Sequence, residues 1–301
     1  MANLHDIERR ITSVKSTRQI TSTMQMIAST KVHSASKRLE KAHPYKESIC
    51  KMLASVSEGQ TDISHPLLEK REDVKTSLIV VIVSDKGLAG GFNSNILRSD
   101  QSYIDSNKKE GKKTKIICCG KKAHTYFQFR KYQTELEFVG TSDNPQFEQA
   151  EEIGNYCIEN FKDENIDEVI VIYNKCKNSM EQTVENVKVL PVEANDLSSV
   201  AEQDDKSSKN EFTQEIVYEP TSVEVLSGLI PTYIRTVIFD SLLDSAAGEQ
   251  VARRVAMQAA TDSADEMIET LTRLYNSVRQ SAITTEITEI VGGADALAEE
   301  S

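Results

Sequence analysis

Hydrophobic residues recur at helical spacing through most of the last quarter of the chain. Between Pro231 and Val291 there is no further proline and one glycine, Gly248, whereas helices in globular proteins average about 11 to 12 residues. At about 1.5 Å rise per residue, this stretch would extend on the order of 90 Å as one helix. A helix of that length needs a partner of matching length, or it must project from its domain.

The first 57 residues predict that partner. Apolar residues follow one another there mostly at spacings of three and four, as in a heptad repeat. The first group is Leu4, Ile7, Ile11 and Val14, and the pattern resumes with Ile20, Met24 and Ile27. Asn3 is a candidate cap, and Pro44 predicts a kink rather than an end, because the spacing continues beyond it. We predict a helix over about residues 3 to 57.

The closing helix should pack antiparallel against this first helix, because the intervening segment joins the end of one to the start of the other. The first half of the closing helix is rich in small residues, which let two helix backbones approach closely. These are Ala246, Ala247, Gly248, Ala252, Ala256, Ala259, Ala260 and Ala264. Bulkier residues then continue the seam at Ile268, Leu271, Leu274 and Val278. A plain coiled-coil spacer is the alternative interpretation of this stripe.

Between the two helices, the period changes and strand patterns alternate with helical ones. Apolar strands are predicted at about 77–83, 114–119, 136–139 and 168–173, with an edge strand at 181–190. This alternation predicts a small, Rossmann-like α/β domain with a mostly parallel sheet. Thr221 or Ser222 can cap the closing helix. The predicted organisation is a coiled-coil helix at 1–57, an α/β foot domain at 75–192, an acidic loop or disordered excursion at 193–216, and a coiled-coil helix at 221–301.

The charge distribution supports pairing of the two ends. The net charge of -12 argues against a nucleic-acid partner. Residues 1–57 nevertheless hold ten Lys and Arg against four Asp and Glu, whereas residues 231–291 hold five against nine. The two terminal helices are therefore expected to attract each other.

No membrane span and no targeting segment are expected. We find no run approaching the roughly 18 apolar residues of a membrane span. The chain enters an amphipathic pattern at once, without an apolar signal core, and has acidic residues too early for a transit peptide. The mature chain is thus expected to begin at its start codon, which favours a bacterium over an organelle.

The cysteines predict neither a metal site nor disulfides. There are five, an odd number, with no CxxC pair, which argues for a reducing compartment. Cys118 and Cys119 lie in an apolar run, so a buried structural role is expected. The five histidines form no HExxH motif, and metal catalysis has no visible site.

A glycine-rich loop, Ser84 to Asn93, is the strongest candidate for small-molecule chemistry. It follows a strand and precedes a helix, where phosphate-binding loops lie. However, it matches neither GxGxxG nor GxxxxGK[ST], so tight turning and close packing are the favoured interpretation. No GxSxG motif is present either. An active site assembled from distant residues stays open at this point.

Three blocks of sequence resemble the gamma subunit of the F-type ATP synthase. The first runs from Ile7 to Lys31 and includes the elements Arg10-Ile11, Ile20-Thr21 and Met26-Ile27. The second is the glycine-rich loop itself. The third begins at Glu249 and continues through Arg253-Arg254, Tyr275-Asn276, Arg279-Gln280, Ile283-Thr284 and Glu289-Ile290-Val291 to Gly293-Ala294. Together the blocks span nearly the whole chain.

The resemblance implies two long antiparallel helices with an α/β domain at the foot. It also implies a rotating shaft that transmits torque from a proton-driven c-ring to the catalytic head. The implied partners are three alpha and three beta subunits, an epsilon-type subunit and the membrane c-ring. The family's catalytic sites lie on the beta subunits, so no cofactor, metal or catalytic residue is implied for this chain. The implied location is the cytoplasmic side of a bacterial cell membrane, as a peripheral subunit.

The family's partner contacts transfer to six positions. Arg279, Gln280 and Thr284 match contacts with a loop of beta. Met24 matches a position that faces the levers of beta, the parts of that subunit that are pushed during rotation. Tyr218 and Glu219 match an element near the c-ring.

The sequence departs from the family in two places. Ser263 stands in a segment where the family usually has Asn-Ala. The acidic excursion is longer than in the simplest members and lacks cysteine, so no thiol switch is expected there. A rival hypothesis is an α/β enzyme with a helical dimerisation arm, which would bind a small molecule near Gly87 to Asn93.

Overall fold

The computed structural model describes residues 4–58, 65–71, 73–178, 181–192 and 221–299. The helices are α1 (Leu4–Glu58), α2 (Phe92–Lys109), α3 (Lys121–Phe129), α4 (Phe147–Lys162) and α5 (Ser222–Glu299). The strands are β1 (Thr76–Ile82), β2 (Lys113–Cys119), β3 (Leu136–Phe138), β4 (Glu168–Cys176) and β5 (Gln182–Leu190). The chain divides into two compact units, residues 28–253 and residues 1–27 with 254–301.

The strands form one sheet in the order β3-β2-β1-β4-β5 within the described residues. β1 pairs in parallel with both β2 and β4, and β2 pairs in parallel with β3. β5 pairs antiparallel with β4 at the edge. The predicted α/β fold with a mostly parallel sheet is therefore confirmed, including the edge strand, although the burial of β5 does not alternate along the strand as predicted.

The central strand β1 supplies side chains to both faces of the sheet, because successive residues of a strand point to opposite sides. Leu78, Val80 and Ile82 belong to one core, which α1, α4 and α5 cover. Ile79 and Val81 belong to a second core, which α2 and α3 cover. A strand buried on both faces reads as a continuous apolar run, which is the pattern that identified it in the sequence.

Within residues 28–253, α5 packs closely against the sheet. A Cβ atom added at Gly248 would lie 3.2 Å from the carbonyl oxygen of Asn174 on β4. Ser245 donates a hydrogen bond to the carbonyl oxygen of Ile82 on β1, at 3.5 Å. The small residues around Gly248 thus allow close approach to the sheet, rather than only to the first helix as the stripe predicted.

Both long helices continue through an internal proline, Pro44 in α1 and Pro231 in α5. The start of α5 is capped as predicted, since the Glu224 N–H donates to Thr221 Oγ1 at 3.3 Å. Between Glu224 and Gly292, one 18-residue window of α5 reaches a mean hydropathy of 1.2, and 56% of that window is buried. This window has the length and mean hydropathy of a candidate membrane span, a property that buried core helices share. Burial in the protein accounts for the apolar composition.

The other unit is an antiparallel pair of helices. Arg18 Nε donates to Asp265 Oδ1 at 2.7 Å, Thr21 Oγ1 lies 2.8 Å from Thr261 Oγ1, and Gln25 donates to Gln258. As the α1 number rises, the α5 number falls, which confirms the predicted antiparallel pairing. The seam follows a strict alternation of three and four residues on both helices. Its partly or fully buried members on α5 are Met257, Thr261, Ala264, Ile268, Leu271, Tyr275 and Val278.

Two details of the predicted seam are wrong. Ile20 and Ile27 are 60% and 54% exposed, and Leu274 is 45% exposed. On α1 the repeat continues through the polar residues Arg18, Thr21 and Gln25, which an apolar pattern overlooks. A shift of one residue turns a side chain about 100° around a helix, so Ile20 and Ile27 lie off the seam. On α5, Tyr275 takes the place predicted for Leu274.

Candidate partner interface

The last described part of α5 extends beyond the end of its partner helix. The cross-helix pairs set a register in which Leu4, the first residue of α1, lies opposite about position 279 of α5. From residue 279 to residue 292, every described side chain is exposed. This single-helix segment, which we call the α5 tip (residues 279–292), is the region that the sequence assigned to partner contact.

Arg279, Gln280 and Thr284 lie together at the start of the α5 tip. The Thr284 hydroxyl donates to the Gln280 backbone carbonyl at 2.9 Å, one turn away. Within the described ranges, the side chains of Arg279 and Gln280 have no hydrogen-bond partner. Their donors are thus available to another protein, and Arg279 carries a charge suited to a carbonyl or carboxylate acceptor.

Apolar side chains share the α5 tip with these polar groups. Ile283, Ile287 and Ile290 are 49%, 55% and 66% exposed and follow one another at spacings of four and three. Residues so spaced form one stripe along a helix. A contiguous exposed apolar stripe marks an interaction surface, so the α5 tip has the chemistry of a helix that another protein surrounds.

Met24 belongs to a different surface from the α5 tip. It lies half-buried on α1 opposite about position 259, next to the exposed side chains of Met26 and Ile27. About 20 residues of α5 separate that level from Arg279, or on the order of 30 Å at the helical rise. The predicted beta-loop and beta-lever contacts are therefore two separate patches of this unit.

Two of the predicted contacts, Tyr218 and Glu219, lie outside the described residues. The acidic excursion at 193–216 lies outside them too. Ser263 is exposed on α5, next to the buried Ala264 of the seam.

In the unit of residues 28–253, the three motif blocks meet at one carboxylate, Asp143. Lys31 of α1 and Gln250 of α5 donate to its Oδ1, each at 3.1 Å. Lys86 of the glycine-rich loop donates to its Oδ2 at 2.6 Å. Burial raises the pKa of Asp143, but the hydrogen bonds from Lys86 and Lys31 outweigh it and leave the pKa below its ordinary value.

A second contact ties α5 to the glycine-rich loop. Arg253 donates to the carboxylate of Glu249 at 2.6 Å and to the carbonyl oxygen of Gly87 at 3.3 Å. The Glu249 side chain is 1% exposed and that of Arg253 is 9% exposed. Burial raises the pKa of Glu249, against the lowering effect of Arg253. The motif residues thus join the long helices to the loop.

The polar side chains of the glycine-rich loop are hydrogen-bonded within the chain. Asn93 Oδ1 accepts from the Ser84 backbone N–H at 3.0 Å, and its amide donates to the Lys86 carbonyl at 3.3 Å. The Asp85 carboxylate accepts from the backbone N–H groups of Lys121, Gly140 and Ser142, at 2.8, 2.9 and 3.1 Å.

Burial raises the pKa of Asp85, but these backbone hydrogen bonds outweigh it and lower the pKa overall. A carboxylate of the chain itself therefore lies at the N-terminus of α3, whereas an anion bound by the glycine-rich loop would lie at the N-terminus of α2, the helix that follows the loop. The structural interpretation of the loop is favoured because its polar side chains already have partners within the chain.

The sequence did not single out Asp143 or Asp85 as individual residues. Asp143 belongs to none of the sequence motifs. Its contacts with Lys31 and Gln250 join residues that are more than 100 positions apart in the sequence, so no local pattern could have identified it. Cys118 and Cys119 are 0% and 2% exposed, as expected. Among the described residues, no group of His, Cys, Asp and Glu is placed to hold a metal ion.

Comparison with known proteins finds ATP synthase gamma chains that match nearly the whole length of this chain. A family model described as ATP synthase matches residues 3–297. The ATP synthase gamma chain of Desulforamulus reducens is 40% identical over 297 residues, which are 99% of this chain and 100% of that protein. The ATP synthase gamma chain of Desulfitobacterium hafniense is 38% identical with the same coverage.

Solved structures agree with the fold. The central stalk and c-ring of the Tetrahymena thermophila mitochondrial ATP synthase contains a chain with a TM-score of 0.60 and 26% identity, covering 80% of this chain and 99% of that chain. A chain of the Euglena gracilis mitochondrial ATP synthase has a TM-score of 0.64 over 98% of this chain and 94% of that chain. At 17% identity, the second match bears on the fold alone.

Proposed function

Since the chain belongs to the ATP synthase gamma-chain family, we propose that it is the central rotor shaft of an F1Fo ATP synthase. In this role it transmits torque between an ion-driven c-ring and the catalytic head, and so couples ion transport to ATP synthesis or hydrolysis. Its partners are the alpha and beta subunits, an epsilon-type subunit and the c-ring. One observation carries the proposal for this chain: a paired helix that continues as the exposed, apolar and donor-bearing α5 tip.

The distribution of exposed groups supports the role of the α5 tip. A shaft that turns inside other subunits must contact them without forming a permanent bond. The tip offers a stripe of isoleucines and a few unpaired donors, and residues 279–292 include two acidic side chains and one basic one. Apolar contact is non-directional, so it tolerates a change of orientation better than a network of ion pairs does.

The foot and the shaft are proposed to correspond to the sequence segments predicted above. Residues 75–192 form the foot, and residues 1–57 and 221–301 supply the two helices. The contacts at Asp143 and Arg253 support transmission of force, because they tie α1, α5 and the glycine-rich loop of the foot together through charge-assisted hydrogen bonds. Charge-assisted hydrogen bonds fix the relative orientation of the groups that they join as well as the distance between them.

The partner contacts are proposed residue by residue. Arg279, Gln280 and Thr284 contact a loop of beta, and Met24 faces the levers of beta. Tyr218 and Glu219 lie near the c-ring. The availability of the Arg279 and Gln280 side chains supports the first assignment, and the exposed Met26 and Ile27 beside Met24 support the second.

We also propose that the chain holds no catalytic site and that ATP is made and hydrolysed on the beta subunits. The glycine-rich loop supports this view, because its polar side chains are engaged in hydrogen bonds within the chain. The proposed location is the cytoplasmic side of a bacterial cell membrane, where the chain is peripheral and held by the c-ring.

Reconstitution tests the proposed function. The isolated chain should neither bind nor hydrolyse ATP, and mixing it with alpha and beta subunits should confer ATPase activity coupled to rotation of a bead attached to the foot. The matched control is the same alpha and beta mixture without the chain. If that mixture gives the same turnover and rotation of labelled complexes does not depend on the chain, the proposal is wrong.

A further inference from the structure

An open groove lies between α2 and α3, on the sheet face opposite to α4. It has a volume of about 690 Å³. Leu97, Tyr126 and Phe129 provide its apolar side chains, and Arg98, Lys122 and Arg130 provide its charged ones. We call it the α2–α3 groove. Of its lining residues, Asn93 alone takes part in the contacts described above.

One of the apolar side chains of the groove is unusually exposed. Phe129, at the end of α3, has 86% of its surface accessible, the largest fraction among the exposed large hydrophobic residues of the described chain. Tyr126 lies one turn earlier and is half-buried. A solvent-exposed phenylalanine in the same groove as a second aromatic residue is typical of a protein–protein contact site, since aromatic side chains dominate interface energetics.

The charged part of the groove is entirely basic. The Arg130 guanidinium lies 4.6 Å from the centre of the Tyr126 ring and donates to Gln101 Oε1 at 2.9 Å, so its orientation is fixed. The side chains of Arg98 and Lys122 form no ion pair with any described residue. Among the residues lining the groove there is no Asp or Glu, although the chain as a whole carries a net charge of -12. The groove is therefore complementary to an acidic partner.

The shape of the groove favours a helix over a small molecule. Sites for small ligands enclose about 70–90% of the ligand surface, whereas this groove is open along its length and covers one side of its occupant. An amphipathic helix needs only its apolar face covered, and the ridges of two neighbouring helices form the usual receptor for it. Its polar face can remain in water.

We propose that the α2–α3 groove is the docking surface for an amphipathic, acidic helix of another protein. The apolar face of that helix covers Phe129 and Tyr126, and Asp or Glu side chains along its edge pair with Arg98 and Lys122. This inference goes beyond the proposed function, because torque transmission through the long helices does not require this groove.

Site-specific photo-crosslinking in the assembled complex tests the proposal. The photoreactive amino acid p-benzoylphenylalanine replaces Phe129 in the full-length chain, which is expressed with all its partner subunits, and the crosslinked peptide is identified by mass spectrometry. The expected product joins position 129 to a helical peptide with an apolar stripe and a net negative charge. The same amino acid at Tyr45, which is 54% exposed on α1, is the control for non-specific capture.

Charge reversal makes the test specific to the groove. The Arg98→Glu and Lys122→Glu double variant should lower the crosslink yield about tenfold, since two favourable pairs become repulsive. The matched control is Lys108→Glu with Lys109→Glu, two exposed lysines at the far end of α2, which should leave the yield unchanged. Circular dichroism melting checks that both variants are folded.

Several outcomes would overturn the docking proposal. These are a crosslink to a peptide without acidic residues, a crosslink to lipid or nucleic acid, no crosslink above the Tyr45 control, or equal yields from the two charge-reversed variants. Coupled ATPase activity is measured on the same complexes. Normal coupling without the crosslink contradicts the docking surface alone, whereas loss of chain-dependent ATPase activity in the unsubstituted complex contradicts the proposed function.

Discussion

At the scale of single residues, the most informative groups are carboxylates that a sequence pattern cannot interpret. Asp240 and Asp244 lie one turn apart on α5, and both are buried. Lys46 of α1 donates to Asp240 Oδ2 at 2.5 Å, which leaves Asp244 without a direct ion-pair partner among the described residues. Two buried carboxylates beside one lysine favour retention of a proton by one of them.

Substitution of Asp244 should change how stability depends on pH. Burial, together with the nearby Asp240, raises the pKa of Asp244 from 3.8 to about 7, against the opposing effects of Lys46, Lys175 and the backbone N–H of Cys176. Between about pH 4 and pH 7, the folded chain therefore holds a proton that the unfolded chain has released. The contribution of this group to stability falls as the pH rises through that window.

The Asp244→Asn variant should lose this dependence and exceed the parent chain in unfolding free energy at pH 8, by on the order of 1–2 kcal/mol. Urea denaturation at pH 5 and pH 8 measures the difference. Glu151→Gln, an exposed change on α4, is the control and should shift neither value. Parallel pH profiles for Asp244→Asn and the parent chain would contradict the assignment.

Asp143 should show the opposite dependence, because the pKa of this carboxylate is lowered. Its contribution to stability is present above the pKa of the unfolded chain and is lost as the pH falls through the folded value. The Asp143→Asn variant should unfold about 1–2 kcal/mol more easily at pH 7, a modest figure because Lys31 and Lys86 are partly exposed.

That cost should shrink as the pH falls below about 4, because the carboxylate of the unfolded parent chain takes up a proton there before that of the folded chain does. Thermal melting at pH 7 and at pH 3.5 measures both effects. Asp163→Asn, an exposed position following α4, provides the comparison. A cost for Asp143→Asn that is equal at the two pH values would refute an electrostatic role.

At the scale of elements, the helix pair of residues 1–27 and 254–301 combines an apolar seam at one end with a polar middle. Ile7, Ile11 and Val14 occupy seam positions on α1, and Arg18, Thr21 and Gln25 continue the same repeat. The ion pair between Arg18 and Asp265 has both side chains about half exposed, so it contributes at most about 1 kcal/mol. This middle section is held by polar contacts that specify register more than they stabilise it.

The threonine pair at the centre of that section can be tested by a double-mutant cycle. Replacing both Thr21 and Thr261 by Val keeps the shape and removes the hydroxyl contact of 2.8 Å. We expect the double variant to be as stable as the parent chain or about 1 kcal/mol more stable. Each single variant should be less stable than the double variant, because it leaves one hydroxyl facing a methyl group.

Chemical denaturation of the four proteins gives the coupling free energy directly. The Thr12→Val and Thr270→Val pair, at exposed positions off the seam, should show no coupling. Strict additivity at Thr21 and Thr261 would mean that the hydroxyl contact does not contribute to pairing.

Much of this architecture could be predicted from the sequence, for reasons that are local. The central strand was recognisable because burial on both faces produces an unbroken apolar run, and α5 was recognisable because no further proline interrupts its helical pattern after Pro231. The Thr221 cap follows from side-chain chemistry within four residues. The prediction that Ile20, Ile27 and Leu274 lie on the helix seam was wrong. At those levels the seam continues through neighbouring residues that a search for large apolar side chains does not count.

The remaining features depend on contacts between distant parts of the chain. Asp143 accepts from side chains on three separate elements, and the basic groove between α2 and α3 combines residues from two helices. Neither Arg98 nor Lys122 differs in sequence context from any other exposed cation. Only the folded positions of these groups distinguish them from ordinary surface charges.

At the scale of the whole molecule, the proposed contacts of the α5 tip can be separated from its stability. Arg279→Ala with Gln280→Ala should leave the melting temperature of the isolated chain within about 1 °C, because both side chains are exposed and unpaired in it. In the assembled complex, loss of two or more hydrogen bonds should weaken coupling or assembly about tenfold or more.

Rotation-coupled ATPase activity and subunit co-purification measure the two effects. Arg273→Ala, an exposed arginine on the same helix whose partner is Glu269, is the matched control and should preserve both. If the Arg279 and Gln280 variant also preserves both, the partner assignment is wrong.

The seven-residue repeat of the helix seam has a mechanical consequence. A repeat of seven residues falls short of two full helical turns, so two helices that keep it wind around each other with a left-handed sense. Twisting such a pair in one direction tightens it, and twisting it in the other direction loosens it. We therefore expect the shaft to be torsionally stiffer in one sense of rotation than in the other, with the polar section around Thr21 as the first part to yield.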